Sequence, residues 1–428
     1  MNVVTGGNFL LGVNYWPRRK AMYWWKRFDL PEVDEEFAQI AEWGLQAVRF
    51  CLLWEDFQPA PDLIDTEQLN RLVKVMDAAQ KHGLRAIPTL LVGNMSGAIW
   101  LPLWVYSNET QPGKQLQISD GRYVDRRLRS PFDNPTMLRA EWRLARQAAA
   151  VVANHPALHS WDLANEIDEA LVPDSPDAGW LWAWCLSEAI RSADDDVLIT
   201  YGAHSLSLTT NGLTLPAITP SLDYLSMHAY PFYAGMARDP LDPEWAPFLT
   251  VLTAQLGDKP AMMQEFGVCT APPGEPTHEI QDVFLGDKKE QVMASEDDAA
   301  QYYAAVLDRL WEVGALGALA WDYADYTSDL WTLPPLDRAI RERTFGIFRA
   351  DGSPKPAAEV LRRFATEMKN GELEHRLGAQ GAKAVPLDVD APAYYQSPLQ
   401  SLGAMYTRYL ERIQQTVAAG GQHHGNSL

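Results

Sequence analysis

Eight times along this chain a short apolar run stops abruptly in polar or aromatic residues and gives way to a segment with helical spacing. The runs fall at 10–14, 47–53, 84–92, 158–166, 197–204, 222–231, 260–267 and 317–322. Each has the length and the turn-rich boundaries of a strand. The segments between them carry apolar stripes such as Val33, Phe37, Ile40 and Ala41, or Leu69, Leu72, Val73, Met76 and Ala79. Helix punctuation agrees with the stripes: Asp65 and Ser295 stand at N-cap positions, Pro135 at a first helical position, and Gly44 and Gly83 at stops. Strand and helix alternating in this way predict a parallel α/β sheet. No G-x-G-x-x-G or P-loop follows a strand, which disfavours a doubly wound nucleotide fold. Polar residues close nearly every strand instead, so the expected architecture is a (β/α)8 TIM barrel whose strand ends form the functional face.

A chain of 428 residues lies within the range of such barrels, about 200 to over 400 residues with insertions. The barrel is assigned to 1–367, and 368–428 to a C-terminal extension with one helix and a disordered tail. His423 and His424 in that tail read as frayed chain rather than metal ligands. Segments 93–131, 269–295 and 323–352 are long for connections, emerge at the strand-end face, and could close an open cleft into a pocket.

The formal charge of −20 argues against partners that reward a basic face, so neither nucleic acid nor an anionic membrane is expected. No run approaches the roughly 18 apolar residues of a membrane span. Three cysteines, Cys51, Cys185 and Cys269, lack metal or disulfide spacing and read as small core residues. With no basic, apolar leader at the N-terminus, a cytoplasmic protein is expected. The aromatic and basic stretch around Tyr23, Trp24 and Trp25, and the segment after Lys369, could make subunit contacts in a homo-oligomer.

Two runs carry the chemistry. The run at 158–166 ends in Asn165 and Glu166, and the run at 260–267 places Glu265 just before its end. A lone glutamate after a strand is usually solvated or ion-paired. Two of them at strand ends of one barrel suggest paired carboxylate chemistry. Arg49, in the middle of an apolar run, needs a carboxylate partner if buried. Asn14, Trp16, His228, Tyr230, Trp321 and Asp322 fall at other strand ends.

The set Arg49, Asn165, Glu166, His228, Tyr230, Glu265 and Trp321, in that order and at those strand positions, resembles the retaining glycoside hydrolases of clan A, most closely family 5. The resemblance implies that Glu166 is the general acid/base and Glu265 the nucleophile, their carboxyl groups about 5 to 5.5 Å apart. It implies further that Asn165 holds the substituent at sugar C2, that His228 and Tyr230 position nucleophile and sugar, and that Trp321 stacks on the ring. Asn14, Trp16, Arg49 and Asp322 complete the expected substrate-binding set. No metal and no organic cofactor are implied.

Family 5 cellulases commonly carry a histidine after the third strand, whereas here the residues from Val92 are followed by Gly93, Asn94, Met95 and Ser96. Asn14 to Trp16, the long segment after the third strand and Trp321 to Tyr323 look more like the mannose-active branch. The expected activity is that of an exo-β-mannosidase on short oligosaccharides such as mannosyl-β-1,4-N-acetylglucosamine. An endo-β-1,4-mannanase or glucanase is the alternative, followed by a β-glucosidase or a carbohydrate-binding protein without turnover.

Overall fold

In the computed structural model, which describes residues 9–110, 115–284 and 287–422, the eight runs form one closed parallel barrel. Its strands are β1 (Leu10–Asn14), β2 (Ala47–Cys51), β3 (Arg85–Val92), β4 (Ser160–Asn165), β5 (Leu198–Ala203), β6 (Leu225–Ala229), β7 (Ala261–Phe266) and β8 (Gly317–Ala320). Each pairs with its neighbours in sequence, and β8 closes on β1. Strands β2, β4 and β7 are buried at every position, because barrel interior covers one face and helices the other.

The outer layer consists of α1 (Leu30–Glu42), α2 (Thr66–Lys81), α3 (Pro135–Val151), α4 (Pro176–Arg191), α5 (Trp245–Gly257), α6 (Glu296–Val313) and α7 (Pro356–Lys369). The caps hold as expected: Asp65 accepts from Glu67 N and Gln68 N, and Asn134 from Thr136 N with Pro135 behind it. Helix α4 begins earlier than its apolar stripe suggests, because Ser175 caps it and Pro176 occupies its first turn. Between β5 and β6 only short helices, Ser205–Thr209 and Leu215–Ile218, fill the place of a full helix.

Two of the long segments carry strands of their own. The one after β3 contains a four-stranded sheet from Asn94–Met95 to Arg122–Tyr123, and the one after β7 an antiparallel hairpin, His278–Phe284 with Asp287–Met293. Beyond α7 the chain turns back onto the barrel and ends in α8 (Pro398–Gln422). Leu373, Leu387, Leu402, Tyr406 and Tyr409 are buried in the same core as the barrel. The Tyr409 hydroxyl donates to Glu244, at the start of α5, at 3.0 Å.

The stretch at 23–28 departs from expectation. Trp24 and Trp25 are core residues, not an exposed contact surface: their ring centroids lie 3.9 Å apart, under cover of Phe50, and Phe57 packs edge-on against Trp25. The basic residues beside them pair within the chain, Arg18 with Glu36, Arg19 with Glu32 and Lys26 with Asp120. Cys51 and Cys269 are buried and unbridged, and Cys185 is half-buried. Among the described residues no helix is long and apolar enough to cross a membrane. The N-terminal residues 1–8, on which the expectation of a cytoplasmic protein rests, and His423 and His424 lie outside the described residues.

One buried acid makes stability depend on pH. Glu141, on α3, is fully buried, and burial holds its carboxyl well above the usual range. Below the unfolded value of about 4.5 both states are protonated. As pH rises past it, the unfolded carboxyl ionises while the folded one keeps its proton, so folding costs more at higher pH. Glu141→Gln removes that cost. Its melting temperature should exceed that of the native protein by more at pH 8 than at pH 5, and an equal difference at both would contradict this account.

Candidate active site

Backbone irregularities bring the two glutamates together. The β4–β5 register slips between Asp162 and Asn165, and β7 slips against both neighbours just before Glu265. Such bulges re-aim the side chains that follow them. Glu166 itself stands in the left-handed region (φ 46°, ψ 45°), a conformation disfavoured for a residue with a Cβ and frequent at functional sites. Gly93 makes room for this turn: a Cβ there would lie 2.4 Å from Ile167 Cα and 2.5 Å from the Glu166 carbonyl oxygen.

In the result, a carboxylate oxygen of Glu166, one of Glu265 and a ring nitrogen of His228 all lie within 4.8 Å of one another. Glu265 is held at both oxygens: Arg49 Nη1 donates to Oε1 at 2.5 Å and the Tyr230 hydroxyl to Oε2 at 2.8 Å. Glu166 Oε2 accepts from Asn94 Nδ2 at 2.9 Å, while Oε1 lies 2.8 Å from His228 Nδ1. Burial first, and then the Glu265 charge, pushes the Tyr230 hydroxyl well up, so it remains a donor. Burial pushes the His228 ring down to about 4, so it is neutral at neutral pH. The three groups are close enough to share a cation, but the Arg49 charge already sits against Glu265 and opposes a second one.

Behind them, all five Arg49 N–H donors are used. Besides Glu265, they reach Asn14 Oδ1 at 2.8 Å, Asn165 Oδ1 at 2.6 Å and Asp162 Oδ2 twice, at 2.8 and 3.0 Å. Asp162 also accepts from Thr89 and from the Gly202 amide. Burial opposes the charge on Arg49, and Asp162 and Glu265 together overcome it.

The cavity over this pair measures about 360 Å3, within the size of a small-molecule site. Of the expected residues, Asn165, Glu166, His228, Tyr230, Glu265 and Trp321 line it. Four others do not. Arg49 and Asn14 lie one layer below; Asn14 braces Arg49 and ties the Gln264 and Ala320 carbonyls through its Nδ2. Trp16 is packed into the core at 1% exposure, since the chain turns inward past β1. Asp322 is buried and accepts from the Tyr326 hydroxyl at 2.7 Å, its carboxyl pushed well up by burial. Arg49 and Asn14 thus brace the site from behind, whereas Trp16 and Asp322 are buried outside its lining.

Other lining residues had no clear sequence signal: Gln115, Glu169, His204, Arg341, Glu342, and Leu399 and Leu402 of α8. Two could have been found. Asp162 is a charge inside an apolar run, as Arg49 is, and the two are natural partners. Asn94 occupies the position after β3 where cellulases of the family commonly place a histidine.

Residues 10–294 match the cellulase family, glycosyl hydrolase family 5, and the chain belongs to that family. It is thus a retaining glycoside hydrolase, and its carboxylate pair stands at the closeness that mechanism requires. Among solved structures it is similar to an exo-β-1,4-mannosidase from Opitutaceae bacterium strain TAV5, at 25% identity and TM-score 0.68, over 86% of this chain and 60% of that one. A family 5, subfamily 18 protein from Streptomyces cattleya, solved in complex with Manβ1-4GlcNAc, matches at 21% identity and TM-score 0.67, over 84% and 81% of the two chains. The endo-β-1,4-mannanase from Thermotoga petrophila matches at 16% identity and TM-score 0.59, over 87% and 79%. No curated protein matches the chain.

The neutral state of His228 can be checked directly. In an NMR titration its ring should stay uncharged from pH 8 down to about 4. A midpoint near the ordinary 6.5 would show that burial does not control it.

Proposed function

We propose that this enzyme is an exo-acting β-mannosidase that removes mannose from short β-mannosides, Manβ1-4GlcNAc among them. The observation that carries the reading is the shape of the site. The catalytic pair lies in a cavity bounded by the segment after β3, the segment after β8 and the terminal helix α8, an arrangement suited to a chain end rather than to a polymer passing through. The ligand in the Streptomyces cattleya structure and the activity named for the Opitutaceae protein support the same sugar.

In this mechanism Glu265 attacks the anomeric carbon. Arg49 and Tyr230 hold both of its oxygens and keep it aimed. Glu166 gives its proton to the leaving oxygen as the glycosidic bond breaks, and mannose becomes an ester of Glu265. Glu166, now ionised, takes a proton from water, whose oxygen attacks the same carbon and releases Glu265. A neutral His228 suits both halves: it can accept from protonated Glu166 and, by tautomer exchange, donate to the ionised form. Trp321 and Asn165 line the cavity, and in this reading Trp321 stacks on the sugar ring and Asn165 meets its C2 substituent.

Glu265→Ala should abolish turnover. Glu166→Ala should lose about 10²- to 10⁴-fold on sugar leaving groups, and azide should partly restore it by forming a β-mannosyl azide. Full activity in either variant, or rescue with inverted configuration, would overturn the roles.

Substrate is tested by following products from aryl β-mannoside, aryl β-glucoside, mannobiose, Manβ1-4GlcNAc and polymeric mannan. Release of mannose alone from the short substrates is expected. Early internal cuts in mannan would favour an endo-mannanase, and faster glucoside cleavage would reject the mannoside specificity.

A further inference from the structure

The cavity contains a charged assembly that the two-step displacement does not use. His204, after β5, lies between two carboxylates: Nε2 is 3.0 Å from Asp168 Oδ1, and Nδ1 is 3.5 Å from Glu169 Oε1. A carboxylate oxygen therefore stands near each ring nitrogen, hydrogen-bonded at Nε2 and at a longer ion-pair distance from Nδ1. Burial lowers its affinity for the second proton, but the carboxylates of Asp168, Glu166 and Glu169 together outweigh it and raise the ring to about 10. Asp168 is itself fully committed, accepting from the Tyr201 hydroxyl at 2.8 Å and the Ser207 hydroxyl at 2.7 Å. Burial works against its charge too, and His204 with these hydrogen bonds holds its carboxyl below the ordinary value. An imidazolium is therefore locked in the wall of a pocket for a neutral sugar.

What the assembly presents to the cavity is Glu169. Its carboxylate is the partly accessible member, with Oε1 toward His204 and Oε2 accepting from Gln115 Nε2. Glu169 lies one helical turn beyond Glu166, on the segment Ile167–Ala170 that the left-handed turn launches. That position fixes which part of a substrate it meets. Glu166 must face the leaving-group oxygen, so the wall continuing from Glu166 through Glu169 and His204 faces the group that leaves.

We propose that Glu169 is an aglycone-binding residue that accepts hydrogen bonds from hydroxyls of the leaving sugar, and that His204, braced by Asp168, is the positioning residue that holds it there. The ligand class is a neutral, hydroxyl-rich reducing-side sugar. The inference rests on the proposed reading for the choice of substrate and for Glu166 as the acid/base.

The test compares a sugar and a hydroxyl-free leaving group, mannobiose and 4-nitrophenyl β-mannoside, in Glu169→Ala and His204→Asn. The kcat/KM for each spans binding through cleavage of the glycosidic bond. In Glu169→Ala, mannobiose should lose about 10- to 100-fold more than the aryl substrate, as expected for a lost hydrogen bond to a charged group. His204→Asn should show the same direction with a smaller ratio. Equal losses on both substrates would mean a general structural role, and no change on either would mean that Glu169 meets no substrate. Each result overturns the proposal. If His204→Asn does not fold, as a melting curve would show, Glu169→Ala decides alone. If the native enzyme prefers β-glucosides, the mannoside reading fails separately, and cellobiose against 4-nitrophenyl β-glucoside applies the same test here.

Discussion

The site depends on one buried guanidinium. Arg49 is an unusual residue to bury: its charge must leave water, and that cost is recovered only if the partners are close and every donor is matched. Here each of its five N–H groups has an acceptor, from β1, β4 and β7. The planar fork therefore does more than neutralise Glu265. It ties three strands at one level and fixes Asn165 and Glu265 relative to each other. A lysine could supply the charge but not the fork. Asp162 takes two of the five donors, so the guanidinium charge is shared between two carboxylates.

The two carboxylates have unlike hydrogen-bond partners. Glu265 lies against the Arg49 guanidinium and the Tyr230 hydroxyl, whose proton burial holds in place. Glu166 has only neutral neighbours at its two oxygens, an amide and an uncharged imidazole. Placement of the two is a backbone matter. Without the bulges in β4 and β7, the left-handed turn at Glu166 and the bare Cα of Gly93, the same side chains would point along different directions of the barrel mouth.

Much of this was legible in the residues, for a physical reason. Barrel strands are buried on both faces, so a polar residue at their ends or inside them stands out, and Glu166, Glu265, Arg49, His228 and Tyr230 were found that way. The same logic, applied to Asp162, would have paired it with Arg49. Side chains at strand ends can turn to the cavity or away from it, and one chain's sequence does not distinguish the two. Hence Trp16 and Asp322 proved to be packed beneath the site, and Trp24 and Trp25 in the core. The distant wall was hidden for another reason: Glu342, Leu399 and Leu402 reach the cavity only through tertiary docking of segments whose local pattern says nothing of a pocket.

The charge seen by a substrate differs from the charge stored in the site. Arg49 lies below the lining, His204 is flanked by two carboxylates, and Arg341 is engaged by Asp282 and the Tyr233 hydroxyl. The cavity's charged lining comprises Glu166, Glu169, Glu265 and Glu342, the last with its carboxyl pushed up to about 7 by burial, beside the paired His204 and Arg341. An incoming ligand thus meets acceptors and negative charge, on a chain whose formal charge is already −20. Neutral hydroxyls satisfy such a surface as donors. A uronic acid or a sulfated sugar would be repelled at close range in a low-dielectric pocket, where like charges cost most. The cations nearest this acidic cavity are placed where they hold carboxylates: Arg49 against Glu265, and His204 against Asp168 and Glu169.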